Sequence, residues 1–256
     1  MIANYHTHTW RCNHAEGTEE EYVSAALERG LQILGFSDHA PYPFPPPYVS
    51  SFRMKMEQYG DYIQTISELK SRYADRIRIH MGLETEFYPK FFPELRAFLR
   101  DSPLEYLILG QHYIGNEIED HYSGAVTSDP ADLKAYCHQA MDAMQTGCFT
   151  YFAHPDLLHF VGKSKDYRKY MGEMCREARA CGIPVEINLL GVRQERWYPH
   201  EEFWEIAAEA GCQAVLGMDA HAPWHILEPY SEQEGIALAR EKGIALLPQV
   251  ELRPIL

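Results

Sequence analysis

Short apolar runs alternate with amphipathic helical segments along this chain, and that alternation constrains its fold more than any other feature. Short β-rich runs that are each followed by a loop and a helix are typical of parallel βα units. The predicted strands are 2–8, 33–37, 77–83, 106–110, 150–153, 184–188 and 214–218, with a final short run at 244–247. The predicted helices are 19–31, 54–73, 94–99, 130–147, 166–182, 200–210 and 231–243.

Local signals place several of these boundaries. The segment 41–47 is rich in proline and is predicted to be a loop, because proline suits neither a helix interior nor a central strand. Asp129 followed by Pro130 predicts a helix start with a capping side chain and proline in the first position. Ser231 with Glu234 three residues later predicts a capping box for the last helix.

Nine potential metal donors fall at or just after the ends of six predicted strands. On a strand, alternate side chains share a face, so His6 and His8 point the same way and can reach one cation. The other donors follow later strands, and the full set is His6, His8, His14, His39, Glu84, His112, His154, Asp219 and His221. Any one of these histidines taken alone is more simply explained as a hydrogen-bonded core or surface residue.

The number and placement of these donors indicate both the metal content and the fold. Nine nitrogen and oxygen donors exceed what one tetrahedral zinc needs and suit two or three divalent cations that share a carboxylate. An open doubly wound sheet gathers its functional residues at one switch point, whereas a closed barrel brings all its carboxyl strand ends to one mouth. We therefore predict an irregular α/β barrel with seven main strands. No Gly/Ser linker interrupts the chain, so residues 1–256 are predicted to form a single domain.

Composition excludes several classes of function. The formal net charge of −14 argues against a general nucleic-acid binder, which needs a basic surface for phosphate contacts. The six cysteines are scattered without a C-x-x-C pair and are predicted to be reduced and mostly buried. No segment has the length of a membrane span or the pattern of a signal peptide. We accordingly expect a cytoplasmic protein, with no nucleic-acid or membrane partner.

The motifs around the nine donors resemble those of the PHP (polymerase and histidinol phosphatase) family, and within it the histidinol-phosphatase branch. The matching stretches are His6-Thr7-His8 with Cys12-x-His14, Gly35-Phe36-Ser37-Asp38-His39-Ala40-Pro41, Gly82-Leu83-Glu84, Gly110-Gln111-His112, Ala153-His154-Pro155-Asp156-Leu157 and Asp219-Ala220-His221. They occur in order over nearly the whole chain. Two departures, Gln111 in the fourth motif and Met218 before the last, remove no donor.

This resemblance implies a distorted (β/α)7 TIM-like barrel (the PHP fold) with a trinuclear centre. One metal would be held by His6, His8, Glu84 and Asp219, and Glu84 would bridge to a second held by His112 and His154. The third would be held by His14, His39 and His221. Glu84, Asp219 and His221 are the predicted catalytic residues, and zinc, manganese and iron all suit this donor set.

The resemblance also predicts the reaction. We expect a phosphomonoesterase that hydrolyses L-histidinol phosphate to L-histidinol and phosphate, a reaction of histidine biosynthesis, using a hydroxide held between two metals. The alternatives are a PHP phosphoesterase on another small phosphate ester or a nucleotide, and a non-catalytic metal-stabilised scaffold. No spacing reveals an imidazole pocket, so the substrate comes from the resemblance alone. The pattern assigns no general acid and no oligomeric state.

Three basic residues are candidates to bind the substrate phosphate. Arg193 is the first choice because it follows the sixth strand and a guanidinium grips phosphate through two hydrogen bonds. Arg53, after the proline-rich loop, is second, and Lys163 is third. For each of them the simpler alternative is a solvated surface charge.

Overall fold

The structure is a computed structural model that describes residues 1–255. The strands are β1 (Ala3–Asn4), β2 (Ile33–Phe36), β3 (Arg78–Thr85), β4 (Tyr106–Leu109), β5 (Phe149–Phe152), β6 (Val185–Asn188), β7 (Gln213–Gly217) and β8 (Ala245–Leu246). The α-helices are α1 (Glu19–Arg29), α2 (Tyr59–Arg72), α3 (Phe92–Leu99), α4 (Pro130–Gln145), α5 (Ser164–Ala180), α6 (Leu189–Arg193), α7 (Glu201–Glu209), α8 (Pro223–Leu227) and α9 (Tyr230–Lys242).

All eight strands belong to one parallel sheet, and their order in the sheet is their order in the chain. The sheet curls so that segments beyond β1 and β7 meet through a parallel bridge between Thr7 and Ala220. The His8 backbone N–H donates to the Ala220 carbonyl at 2.9 Å, and the Ala220 N–H donates to the His6 carbonyl at 3.2 Å. The first motif, His6-Thr7-His8, and the last, Asp219-Ala220-His221, are therefore neighbours in space.

Apolar side chains pack on both faces of the curled sheet. The larger cluster lies between strands and helices; α5, for example, buries Tyr167, Met171 and Met174, whose three- and four-residue spacing puts them on one helix face. The smaller cluster consists of residues contributed by five strands or their ends: Ala3, Tyr5, Ile33, Tyr106, Ile108, Tyr151, Ala153 and Val215. Five of the six cysteines are buried, as predicted.

The predicted α/β class with a parallel sheet is confirmed, and the differences in the positions of helices and strands are local. The helix start at Asp129 is confirmed, because its side chain accepts from the Ala131 N–H at 2.8 Å. The capping box at Ser231 is wrong: α9 starts at Tyr230, and the Glu228 carboxylate accepts from Ser231 instead. The short helices α6 and α8 form in segments for which no helix was predicted.

The boundaries of two strands also differ from prediction. Regular strand β1 ends at Asn4, so His6 and His8 lie beyond it in the bridged segment. Strand β3 extends to Thr85, so Glu84 lies within the strand and not after it. Within residues 1–255, none of the helices has the length and apolar character that crossing a membrane requires.

Candidate metal centre

The nine predicted donors converge at the carboxyl ends of the strands. They come from segments that follow or end β1, β2, β3, β4, β5 and β7. His6 is fully buried and Glu84 is 1% exposed, whereas His14 lies at the outer edge. The convergence that the sequence predicted is therefore present in the structure.

Glu84 occupies the middle of the cluster and faces five histidines from four different segments. Its Oε2 lies 3.6 Å from His6 Nε2, 3.4 Å from His8 Nε2 and 3.0 Å from His39 Nδ1. Its Oε1 lies 2.7 Å from His154 Nε2 and 3.5 Å from His112 Nε2. A carboxylate in this position can contribute one oxygen to each of two cations.

Asp219 lies beside Glu84, just after β7. Its Oδ1 is 3.2 Å from His8 Nε2 and 3.5 Å from His6 Nε2. The backbone at Asp219 has φ of 46°, and that of His154 has φ of 33°, both in the left-handed region that non-glycine residues seldom adopt. Two strained residues among the nine donors indicate that the surrounding fold holds these side chains in place.

Four histidines have a hydrogen-bond partner that fixes which ring nitrogen is available. Nδ1 of His6 lies 2.8 Å from a Glu186 oxygen, and Nδ1 of His112 lies 2.9 Å from a Glu86 oxygen. Nδ1 of His14 faces the Cys12 carbonyl at 2.8 Å, and Nδ1 of His221 faces the Asp219 carbonyl at 3.2 Å. These partners only accept hydrogen bonds, so each Nδ1 carries the proton and each Nε2 is left to bind a cation.

The pair His14 and His221 shows most directly that the Nε2 atoms are left to bind a cation. Their Nε2 atoms lie 2.9 Å apart, and both Nδ1 atoms are already donors to backbone carbonyls. Two ring lone pairs at that separation repel each other unless a positive charge lies between them. Burial lowers the pKa of His14, and it lowers that of His221 well below the usual range; nearby His8 lowers both further. Neutral imidazoles are the form that binds metals.

The two carboxylates have the ionisation state that a metal site needs. Burial raises the pKa of Glu84, but the charges of His112, His39 and His6 outweigh burial and hold it well below its usual range. The pKa of Asp219 is likewise held low, because His6 and His8 outweigh burial. Burial lowers the pKa of His6, yet the charges of Asp219, Glu186 and Glu84 raise it to about 10. The cluster thus stabilises positive charge between its acids.

Besides their protonation states, the donors fit divalent cations because many of their buried polar atoms have no hydrogen-bond partner. Such atoms are His6 Nε2, His8 Nδ1, His8 Nε2, His39 Nδ1, Glu84 Oε2, His154 Nδ1 and Asp219 Oδ1. A buried polar atom without a partner is costly, so an ion that binds several of them relieves that cost. Sets of three donors whose ligand atoms lie within 4.8 Å of one another include His6–His8–Asp219, His6–Glu84–His154, His8–His39–Glu84 and His14–His39–His221.

A cavity of about 480 Å³ opens over this cluster. Its floor consists of eight of the nine donors, all except His6, and its walls come from neighbouring loops. The wall residues are Ser51, Phe52, Tyr113, Tyr122, Leu157, Leu190, Gln194, Arg196 and Tyr198. A small molecule with an anionic group can therefore reach the donors beside aromatic side chains.

The PHP domain model matches residues 4–189, which is most of the chain. The chain belongs to the PHP domain family. The membership predicted from the histidine motifs is confirmed, and the matched region contains all the donors except Asp219 and His221.

Several proteins similar to this PHP domain have names that agree with one another. The chain is 31% identical over 231 residues to a protein of Deinococcus radiodurans named "Probable histidinol-phosphatase", with 88% of each chain covered. It is 33% identical over 116 residues to the histidinol-phosphatase of Bacillus subtilis, covering 43% of each. The crystal structure of a Lactococcus lactis histidinol phosphate phosphatase, complexed with zinc, L-histidinol and phosphate, superposes with a TM-score of 0.72 at 22% identity. That alignment covers 96% of this chain and 95% of the other and shows a shared fold.

The three predicted phosphate-binding residues of this PHP domain do not line the cavity. Arg53 is buried behind the wall, where its guanidinium donates to both Glu86 oxygens at 3.0 and 3.1 Å and to Glu117 at 2.7 Å. Lys163 is exposed at the start of α5. For Arg53, the two acids that neutralise it are a physical reason to expect a structural ion pair in place of the predicted phosphate contact.

Arg193 lies at the end of α6, close to the centre but behind it. Its Nη2 donates to the carbonyls of Met218 and Asp219 at 3.1 and 3.4 Å and faces His225 Nδ1 at 3.3 Å. The cavity is lined instead by Arg196, three residues later, which the sequence reasoning missed. Arg193 is the last residue of α6 and Arg196 lies beyond it, and no helix was predicted at this position.

Two buried glutamates outside the predicted set contact donor rings. Glu86 shares the strand face of Glu84 and holds His112, while Glu186 on β6 holds His6. Both are fully buried. Their sequence signal is only a single acid on a short strand or just after one, a pattern that occurs for reasons unrelated to metals.

Proposed function

We propose that this PHP domain is a metal-dependent phosphomonoesterase that hydrolyses L-histidinol phosphate to L-histidinol and phosphate. The observation that carries the proposal is the placement of Glu84 between five histidines of four segments, at the floor of a cavity open to a small molecule. The name of the Deinococcus radiodurans relative supports the choice of substrate.

The proposed centre holds two or three divalent cations, with zinc, manganese or iron as candidates. His6, His8, Glu84 and Asp219 would hold one, Glu84 with His112 and His154 a second, and His14, His39 and His221 a third. The third group coincides with one of the close donor sets. When bound, the cations would activate water as a nucleophile and neutralise the phosphoryl oxygens.

The remaining roles belong to protein side chains. Glu84, Asp219 and His221 act in catalysis by holding the centre in place. Arg196 is proposed to bind the phosphate, because it is the one lysine or arginine among residues 1–255 that lines the cavity. Phe52, Tyr113 and Tyr198 would surround the alcohol part of the substrate and exclude water from it.

The proposed architecture is a single domain over residues 1–256, with strands β1 to β7 forming a distorted (β/α)7 barrel. The bridge between Thr7 and Ala220 supports this closure, because it links the segments beyond β1 and β7. Strand β8 pairs only with the start of β7, at Gln213 and Ala214, and would lie outside the barrel proper.

The direct test is to purify the protein, count metals per chain, and measure phosphate release across histidinol phosphate, nucleotides and sugar phosphates. We expect two or three divalent cations per chain and a kcat/KM for histidinol phosphate higher than for the other esters by on the order of 100-fold. Comparable rates on a sugar phosphate would favour the alternative of another small ester. Full metal loading with no phosphate release from any ester would favour the scaffold alternative.

Glu84→Gln is the matched variant for this test. We expect turnover to fall below detection because an amide cannot bridge two cations as a carboxylate does. Glu232→Gln serves as the control, since Glu232 is also buried but pairs with the N-terminus and Arg29, away from the donors. Retained activity of Glu84→Gln with two bound metals would contradict the bridging role.

A further inference from the structure

Strand β6 carries none of the nine donors, although each of β1 to β5 and β7 contributes at least one. It carries instead Glu186, which is fully buried and contacts the donors of other strands. Its two carboxylate oxygens accept hydrogen bonds from three groups, and each of those groups leads to a different donor.

The first two contacts are direct. Glu186 Oε1 lies 2.8 Å from His6 Nδ1, and Oε2 accepts from the backbone N–H of His154 at 3.0 Å. The first contact turns the Nε2 atom of His6 toward the centre, where it has no hydrogen-bond partner. The second contact holds a residue whose φ of 33° is strained, so it opposes relaxation of the backbone that carries the His154 ring.

The third contact passes through a neighbour on the same strand. Asn188 Nδ2 donates to Glu186 Oε2 at 2.9 Å and to Asp219 Oδ2 at 3.0 Å. One oxygen of Asp219 is therefore held by an amide, while the other, Oδ1, faces His6 and His8. The Asn188 side chain is itself fixed, because its Oδ1 accepts from the Gly191 N–H at 3.0 Å.

Gly217 on the next strand, β7, has no side chain and so leaves space for the Glu186 carboxylate. A Cβ atom placed on Gly217 would lie 1.6 Å from Glu186 Oε1, so any larger residue at position 217 would displace the carboxylate. A carboxylate is also the only side chain that can accept from all three donors at once. Glutamine would present its NH₂ group to at least one of them.

We propose that Glu186 is a positioning residue that, with Asn188, orients His6, His154 and Asp219 toward the metal centre. This inference rests on the metal centre of the proposed function but not on its substrate. A group of this kind hydrogen-bonds to a metal ligand and fixes its orientation. Replacing it typically lowers the metal affinity about 10- to 100-fold.

The test measures metal binding and not turnover. Zinc affinity and stoichiometry are measured for wild type, Glu186→Gln and Glu232→Gln by competition with a chromophoric chelator, and the cobalt-loaded proteins are compared by visible absorption. We expect zinc affinity to fall about 10- to 100-fold in Glu186→Gln at the sites that use His6, His154 and Asp219. The set His14–His39–His221 should still bind, because Glu186 hydrogen-bonds to none of its members. Glu232→Gln should match wild type.

A second variant, Gly217→Ala, keeps the Glu186 carboxylate but displaces it. It tests the positioning role of Glu186 if Glu186→Gln does not fold. We expect it to reproduce the loss of zinc affinity and the altered cobalt spectrum. Wild-type zinc affinity in a folded Glu186→Gln or Gly217→Ala protein would overturn the inference and leave the proposed function standing. Conversely, wild-type protein that binds zinc but hydrolyses no phosphate ester would remove the function, while the effect of Glu186 on zinc could still be measured.

Discussion

At the scale of single residues, the environment of each charged side chain separates those that can meet a substrate from those that cannot. Arg53 is enclosed by two acids, and Arg193 lies behind the centre and does not line the cavity. Arg196 faces the cavity, where its Nη1 donates to the Tyr198 hydroxyl at 3.0 Å and its Nε to Gln194 at 3.0 Å. Those neutral partners leave its charge uncompensated and available to an anion.

Arg196→Ala is expected to raise the KM for the phosphate ester about 10- to 100-fold, because a hydrogen bond to a charged group contributes about 1.5–3 kcal/mol. Metal content should not change, since Arg196 contacts none of the nine donors. Steady-state kinetics combined with metal analysis measures both quantities. Lys163→Ala removes an exposed charge away from the cavity and should behave as wild type. An unchanged KM in Arg196→Ala would mean that the phosphate is held by other groups.

At the scale of elements, a buried ion pair connects three segments around the cavity. Arg53 follows the proline-rich loop, Glu86 follows β3, and Glu117 lies in the segment after β4. The guanidinium also lies 4.4 Å from the centre of the Phe52 ring, which lines the cavity. Glu86 in turn holds His112. The wall of the cavity and one metal donor therefore depend on the same buried cation.

Arg53→Met should lower the free energy of unfolding of the metal-free protein by about 3–5 kcal/mol, because it leaves the buried Glu86 and Glu117 carboxylates without the arginine cation that neutralises them. Urea unfolding measures this change. Arg72→Met is a matched control, since Arg72 pairs with Glu20 where both side chains are more than half exposed, and solvent screens such pairs so that they contribute little to stability. Equal effects of the two substitutions would show that burial of the Arg53 pair contributes nothing extra.

Particular elements show which features of the fold and the site could be predicted from the sequence and which could not. The strands and the nine donors could be predicted because β-rich runs and strand-end histidines are local signals that recur in order. The orientation of Arg193 and Arg196 could not, because it depends on α6, a helix of five residues held by the Asn188 cap. The role of Glu186 depends on contacts with residues 180 and 32 positions away, His6 and His154, which no local pattern encodes.

At the scale of the whole molecule, the nine donors are spread from His6 to His221 but share one buried cluster. Bound cations would satisfy the buried atoms that have no hydrogen-bond partner. Metal binding and global stability should therefore be strongly linked.

Removing metal with a chelator is expected to lower the melting temperature, and added zinc should restore it. A ligand present at 100 times its Kd stabilises the folded state by about 2.7 kcal/mol per site. Differential scanning calorimetry of chelated and zinc-loaded protein measures the shift. Glu84→Gln should show a smaller zinc-dependent shift than wild type. Identical melting temperatures with and without zinc would argue against a site coupled to the fold.

A second prediction for the whole molecule concerns acid stability. Burial raises the pKa of Glu105, but hydrogen bonds from His80, Lys70 and the Met81 N–H outweigh it and lower the pKa to about 2. Because the folded-state pKa lies below the unfolded value of 4.5, the stabilisation is complete above pH 4.5 and is lost as pH falls toward 2.

Glu105→Gln should therefore be less stable than wild type near pH 6, and the difference should shrink as the pH falls from 4.5 toward 2. Urea unfolding of the metal-free proteins across this range measures it. Glu94→Gln, at an exposed position on α3, should follow the wild-type curve at every pH. A Glu105→Gln deficit that does not vary with pH would indicate lost packing and not lost charge.

The pairing of Thr7 with Ala220 has a consequence for how the protein matures. Donors from the first and last motifs become neighbours only when segments more than two hundred residues apart have found each other. The two proposed sites that combine residues of the first and last motifs, His6 and His8 with Asp219 and His14 with His221, cannot form before this pairing, so their ions should bind late in folding. The rate at which zinc binds to these sites during refolding would then measure how fast the segments that contain Thr7 and Ala220 pair with each other.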